Sequence, residues 1–446
     1  MNRVEALISS APAVMLARVA GAGAGFLAQL VLARLLAPDD MGKFFAATSL
    51  AAVLGVIAAQ GYPNIVQRFV SRYRHKGQKA LLAAFVGRVR RETFVGALVF
   101  AVLMLAAAML GPTLEGDTRM LIAATALCTW AATAFSVYPA FAYADRRFAL
   151  GLLPEIVIRP VVFLAFMVAI AMAAVTLSSG MVTMAYAAIS AILAFAQYFA
   201  VSKGMSSGIP PVAKRLQRRW RHEAWPLLMV ALFTTLFTDV VILIASPFLG
   251  AEALAPFGVA LKISMLIGFA VQVTHQMALP DLAEAREMRD NAKMAKALMR
   301  STLLPVIVTM AALIGVVFWG DRLLRLFGPA YPPALWSLVL LVGAQLIRAL
   351  AGPASLLLTL QGAQRTSAAI SVSSVAVLLV ANAILTPHFG LLGASLSVVL
   401  CIAAWTGLNG GTLWYRMDLR TDIFCALRRT QGILIDRPLG PSFLHK

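Results

Sequence analysis

The sequence predicts an all-α polytopic membrane protein of about twelve transmembrane helices. Three observations predict it. Of the 446 residues, 61% are hydrophobic and only 13% charged, whereas a soluble domain is about 25% charged. Apolar runs of about 20 residues, long enough to cross a bilayer as helices, recur along most of the chain. Basic residues collect in alternate connections, as the positive-inside rule requires. A soluble fold could not bury so much apolar surface and would aggregate.

The first span is read at 11–36. The preceding MNRVEALISSAP is short and polar, and the apolar run is too long for the core of a signal peptide, so no cleavable leader is expected. Spans at 43–67, 93–112, 119–144, 150–174 and 181–202 complete a first lobe over 1–202. A basic linker follows at 203–222. The second lobe, 223–415, holds spans at 224–249, 255–280, 300–320, 333–360, 366–388 and 391–415, and a tail runs over 416–446. Short turns such as TLSSGM and HFG separate the tightest pairs. Pro63, Pro139, Pro160, Pro305 and Pro353 mark breaks or kinks, because proline removes a helical hydrogen bond.

With both termini cytoplasmic, most of the 38 Lys and Arg fall on the inner side, and an even number of spans is required. The net charge of +19 is therefore explained by topology and anionic headgroups, with no nucleic-acid partner expected. No outer connection is long enough to fold into a catalytic domain. Inner stretches such as KALLAAFVGRVRRE and VAKRLQRRWRHEAW read as amphipathic helices lying on the membrane surface. The two lobes open alike: LARLLAPDDMGKFFAATS in the first has a counterpart in IASPFLGAEALAPFGVALK in the second. Each has a small-residue and proline break, an acidic residue, and an aromatic opening the next span, which suggests parallel repeats with the substrate site between them.

Helical projection sets polar residues in stripes. Arg18, Ala22, Gly25 and Gln29 share a face of the first span. Ser49, Gln60, Asn64 and Gln67 share a face of the second, and Asp239 and Ser246 align on the seventh. Stripes of small and hydroxyl residues serve packing as readily as lining, and Gly21 with Gly25 fits a small-xxx-small packing motif. Charges inside spans must face protein or water. Glu155 and Arg159 can pair on one helix face. Arg18, Lys262 and Arg348 have no acid one turn away, and Asp239 is the central carboxylate that can pair with a cation from another helix. An interior with surplus positive charge suits a phosphate or pyrophosphate substrate.

Motifs for other chemistry are missing. The sequence has no GxxxxGK[ST] phosphate loop, no HExxH and no GxSxG, so neither ATP hydrolysis nor these enzyme classes are expected. Cys128, Cys401 and Cys425 lie far apart, and the five histidines form no ligand cluster. No metal and no cofactor is expected.

The stretch LARLLAPDDMGKFFAATSLAAVLGVIAAQGYPNIVQRFVSR resembles bacterial polysaccharide exporters of the multidrug/oligosaccharidyl-lipid/polysaccharide superfamily, the Wzx-type flippases of O-antigen and exopolysaccharide repeat units. Arg34, Leu35, Leu36, Pro38, Asp39, Gly42, Phe44, Gly61 and Arg68 match that pattern. The resemblance implies two six-helix lobes around a central cavity, in a V shape, with alternating access. It implies transport of an undecaprenyl-pyrophosphate-linked oligosaccharide across the bacterial inner membrane, for lipopolysaccharide or exopolysaccharide biosynthesis. A polysaccharide polymerase and a chain-length regulator are the partner proteins it suggests, beside membrane lipids. Candidate substrate-binding residues are Arg18, Gln29, Gln60, Asn64, Lys262 and Arg348, with Asp239 the candidate for ion coupling. Two alternatives stay open: a cation-coupled multidrug exporter of the same superfamily, and a membrane polysaccharide polymerase or ligase.

Overall fold

The computed structural model describes residues 11–111, 115–173, 176–203, 214–235, 237–288, 290–360, 363–417 and 421. All the regular structure among them is helical. The first helices are α1 (Ala11–Leu35), α2 (Pro38–Ala59), α3 (Pro63–His75), α4 (Lys79–Leu110) and α5 (Gly116–Ala144). Next come α6 (Phe148–Leu153), a π-turn at Pro154–Ile158, α7 (Arg159–Ala173), α8 (Ser179–Ser202), α9 (Lys214–Thr235) and α10 (Phe237–Ala245). The remainder comprises α11 (Ala251–Glu287), α12 (Asn291–Arg325), α13 (Leu335–Leu350), α14 (Ala354–Leu360) and α15 (Gln364–Met417).

Among the described residues, 10 helical stretches are long and apolar enough to cross a membrane. One of them, Arg365–Tyr415, has 51 residues and would extend about 76 Å if straight, more than twice a hydrocarbon core of about 30 Å. It is not straight, because Gly390 interrupts it with φ 53°, at the HFG turn expected from the sequence. Counted as two passes, it brings the described residues to eleven candidate spans, near the twelve or so that hydropathy predicts. The chain is a multi-pass, all-α membrane protein.

Local chemistry sets the helix ends. Pro38 opens α2, where its missing N–H costs nothing. Asp39 and Asp40 occupy the first turn, favoured there by the helix dipole, and Asp39 pairs with Lys43 at 2.7 Å. The second span departs from the sequence expectation. Helix α2 stops at Ala59, Gln60 and Gly61 take left-handed backbone at φ 53° and 74°, and Pro63 starts α3. A Cβ on Gly61 would lie 2.2 Å from the Ala224 carbonyl oxygen. The stripe from Ser49 to Gln67 is therefore broken at Gln60.

The described residues group into two compact units, Met1–Ala255 and Pro256–Lys446. The first takes α1–α10, including the helices that the sequence reading assigned to the opening of the second lobe. Within it α5 packs against α8, α2 and α4. Glycine allows the close approaches: a Cβ on Gly55 would stand 2.6 Å from Ala132 Cβ, and one on Gly21 only 1.9 Å from the Ile156 carbonyl oxygen. The basic end of this unit has its own apolar cluster, in which Phe69, Tyr73 and Phe85 surround Trp220. Trp220 is fully buried and donates its indole N–H to the Tyr73 hydroxyl at 2.9 Å.

This corrects the expectation of surface-lying helices. Residues 79–92 form the opening of the 32-residue α4, and their apolar side chains Phe85, Val86 and Val89 join that cluster. The apolar face of the 214–225 segment turns Trp220 and Ala224 the same way. In the second unit, Leu282, Leu298, Leu357, Leu358 and Leu413 form a comparable cluster. Asp290 caps α12 by accepting from the Ala292 and Lys293 amides, each at 2.9 Å. The tail from 422, Cys425 included, lies outside the described residues.

Candidate functional site

A guanidinium inside a bilayer needs protein groups in place of water. Arg159 has them. It stands at the first position of α7, directly after the π-turn, a wider coil that often marks functional positions. Glu155, four residues earlier, approaches to 3.9 Å, a loose pair. The guanidinium also lies over two rings, 5.2 Å from the Phe135 centroid and 5.5 Å from that of Tyr186, each a cation–π contact. Tyr186 is braced edge-on by Phe163 at 5.1 Å and by Phe44 at 5.8 Å.

A second carboxylate belongs to the same constellation. The field of Asp239 reaches both Arg159 and Tyr186, and Asp239 accepts a hydrogen bond from the buried Ser49 hydroxyl at 3.1 Å. Helices α2, α5, α7, α8 and α10 thus converge on one polar cluster within the first unit. The sequence reading took Glu155–Arg159 as a local pair and Asp239 as open to pairing between helices. The structure puts all three in one electrostatic group.

Arg18 lies on α1, half-buried. Its Nε is buried without a hydrogen-bond partner among the described residues. The fields of Arg18 and Glu155 both reach Tyr143. One turn on, Gly21 brings α1 against the π-turn, so the small face of α1 packs where the sequence motif indicated. Gln29 is half-buried on α1. Gln60 and Asn64 sit elsewhere, at the basic end: Gln60 donates to the Glu92 carbonyl at 3.3 Å and Asn64 to the Leu227 carbonyl at 3.4 Å.

In the second unit, Lys262 is half-buried on α11. Arg348 on α13 lies 5.8 Å from the Trp405 ring, and its field reaches the buried His275. Among the described residues Arg348 forms no ion pair. In the first unit the acids near Arg159 are Glu155 and Asp239. The second unit adds Lys262 and Arg348 as cations within its spans. No group of residues suited to a metal ion occurs among the described residues.

Sequence reasoning did not single out Phe135 and Tyr186. Their only signal was an aromatic side chain in a span, which usually means packing.

Residues 9–285 match the family described as polysaccharide biosynthesis protein. The chain belongs to that family. No curated protein matches it in sequence. Its fold is similar to several solved structures. One is the lipid II flippase MurJ in an inward closed conformation, with a TM-score of 0.70 at 13% identity over 90% of this chain and 87% of that one. Another is an inward-facing multidrug resistance MATE family transporter of the MOP superfamily, with a TM-score of 0.63 at 14% identity over 93% and 96% of the two chains. A third is a MOP superfamily transporter from Pyrococcus furiosus whose binding pocket is described as of reverse polarity, with a TM-score of 0.51 at 14% identity over 90% and 94%. The family agrees with the resemblance carried by the α1–α3 stretch.

Proposed function

We propose that this protein flips polyprenyl-pyrophosphate-linked oligosaccharide repeat units across the bacterial inner membrane by alternating access. The observation that carries the reading is the set of cations within the spans: Lys262, Arg18, whose buried Nε has no hydrogen-bond partner among the described residues, and Arg348, which forms no ion pair among them. Such cations favour a pyrophosphate and disfavour the cationic substrates of multidrug exporters. Membership of a polysaccharide biosynthesis family and a fold shared with a lipid II flippase support a lipid-linked cargo. In this reading both termini are cytoplasmic, and two repeats, 1–202 and 223–415, are joined by the 203–222 linker. Arg18, Gln29, Gln60, Asn64, Lys262 and Arg348 are the candidate substrate-binding residues. A polymerase and a chain-length regulator act on the delivered units, building O-antigen, lipopolysaccharide or exopolysaccharide. Asp239 serves ion coupling.

The test is deletion in a strain without a second flippase. Lipid-linked repeat units should accumulate on the cytoplasmic leaflet and surface polysaccharide should disappear. Normal surface polysaccharide in that strain would sink the proposal. Asp239→Asn should remove the response of export to a collapsed ion gradient; an unchanged response would strip Asp239 of its coupling role.

A further inference from the structure

The basic end of the first unit contains a cleft of about 380 Å³ whose lining includes Arg88, Gln217, Arg218, Arg221, His222 and Trp225. The proposed transport mechanism makes no use of it. Trp220, one residue from Arg221, is packed edge-on against Phe85 at 5.1 Å, which fixes this part of α9 on α4. Arg88 is half-buried and held by Glu92 and Gln217. Its Nε is buried with no hydrogen-bond partner among the described residues. Arg221 donates to Glu92 at 2.8 Å, a contact that raises the pKa of its guanidinium, first by the hydrogen bond and then by charge. Arg218 is exposed and forms no ion pair among the described residues. Two of the three guanidiniums therefore share the Glu92 carboxylate. The nearby Glu223 is taken by Arg68 and Arg219.

Sequence gives the depth of the cleft. On α4, Glu92 is the last charged residue before an apolar run to Leu110. On α9, Glu223 is the last before WPLLMVALFTT. The cleft lies where both helices change from charged to apolar, and Trp225 is 55% exposed at that boundary. Indole rings favour the headgroup level of a membrane. Basic pockets there recognise lipid phosphates, and arginine's planar fork matches phosphate oxygens better than a point charge does.

We infer that this cleft binds the phosphate headgroup of a membrane lipid in the leaflet facing the basic loops. The inference stands on the cleft alone and does not depend on the transported cargo. The test uses native mass spectrometry of the full-length protein in neutral detergent. Phosphatidylglycerol, phosphatidylcholine and polyprenyl pyrophosphate are titrated separately. The double variant Arg218→Gln/Arg221→Gln removes two exposed charges. A charge-matched control, Arg72→Gln/Arg91→Gln, removes two from the same end outside the cleft. At roughly fivefold per basic residue near a lipid surface, the cleft variant should weaken binding about 10- to 30-fold and the control far less. Selective loss for phosphatidylglycerol assigns the cleft to bulk anionic lipid, and selective loss for polyprenyl pyrophosphate assigns it to the carrier lipid. The inference is overturned if phosphatidylcholine binds as well as both anionic lipids. It is equally overturned if the cleft variant binds like the wild type, or if the control loses as much as the cleft variant. Equal melting temperatures without lipid check that each variant is folded.

Discussion

Arg159 carries a full charge within the spans, and no single neighbour neutralises it. Glu155 is 3.9 Å away with its side chain 37% exposed, which makes the pair weaker than a dry one. Phe135 and Tyr186 cover the guanidinium, and Asp239 adds charge compensation from another helix. Replacing Arg159 by Gln leaves two carboxylates without their cation. Breaking a fully buried pair costs about 3–5 kcal/mol, and the exposure of Glu155 brings the expected loss to about 1–3 kcal/mol. Detergent melting curves check this. Arg159→Gln should lower the melting temperature, and adding Glu155→Gln should recover part of the loss. A double variant that melts below the single one would contradict the charge argument. One half of this cluster is written in the sequence, since Glu155 and Arg159 share one helical face. The other half is not: Ser49 and Asp239 meet across 190 residues of chain, and no helical period connects them.

Among the elements, hydropathy located the spans because the bilayer sets their length, and it located the 388–390 turn because a glycine ended an apolar run. It failed where a helix ended without leaving the apolar zone. Gln60–Gly61 turns the chain inside what reads as one span, so Gln60 and Asn64 were placed on a continuous stripe that does not exist. The Gly-Tyr-Pro at 61–63 was the available signal. Amphipathic basic stretches were ambiguous for a related reason: the moment shows that one face is apolar, but not whether lipid or protein covers it. Glycine contacts supply the element-scale prediction. Gly21 faces the π-turn backbone, with 1.9 Å between its would-be Cβ and the Ile156 oxygen, while Gly23 on the same helix has nothing within 4 Å. Gly21→Ala must push α1 away from residues 154–158, at about 1–3 kcal/mol by analogy with overpacked cores. Gly23→Ala should be neutral or mildly stabilising. Thermal melts and membrane protein levels of the pair would separate them, and equal behaviour would mean that α1 is not held by this approach.

For the whole molecule the question is what the intramembrane cations are for. A purely structural cation should be balanced nearby, as Arg159 is. Arg348 forms no ion pair among the described residues, and the Nε of Arg18 has no hydrogen-bond partner among them. Burying such charges is unfavourable, and a cargo that brings pyrophosphate oxygens would compensate them during transport. Variants in a deletion strain distinguish this from scaffolding. Arg18→Ala and Lys262→Ala should each reduce surface polysaccharide about tenfold or more, since a charged hydrogen bond is worth about 1.5–3 kcal/mol. Protein levels and melting temperatures should stay near wild type. Lys262→Arg should retain most export because it keeps the charge, and Lys262→Gln should not, although it keeps much of the size. A scaffolding role gives the opposite signature, with export falling only as protein level falls. Full export by the Arg18→Ala/Lys262→Ala double variant would remove both residues from the transport path and leave Arg348 as the remaining cation to carry a pyrophosphate.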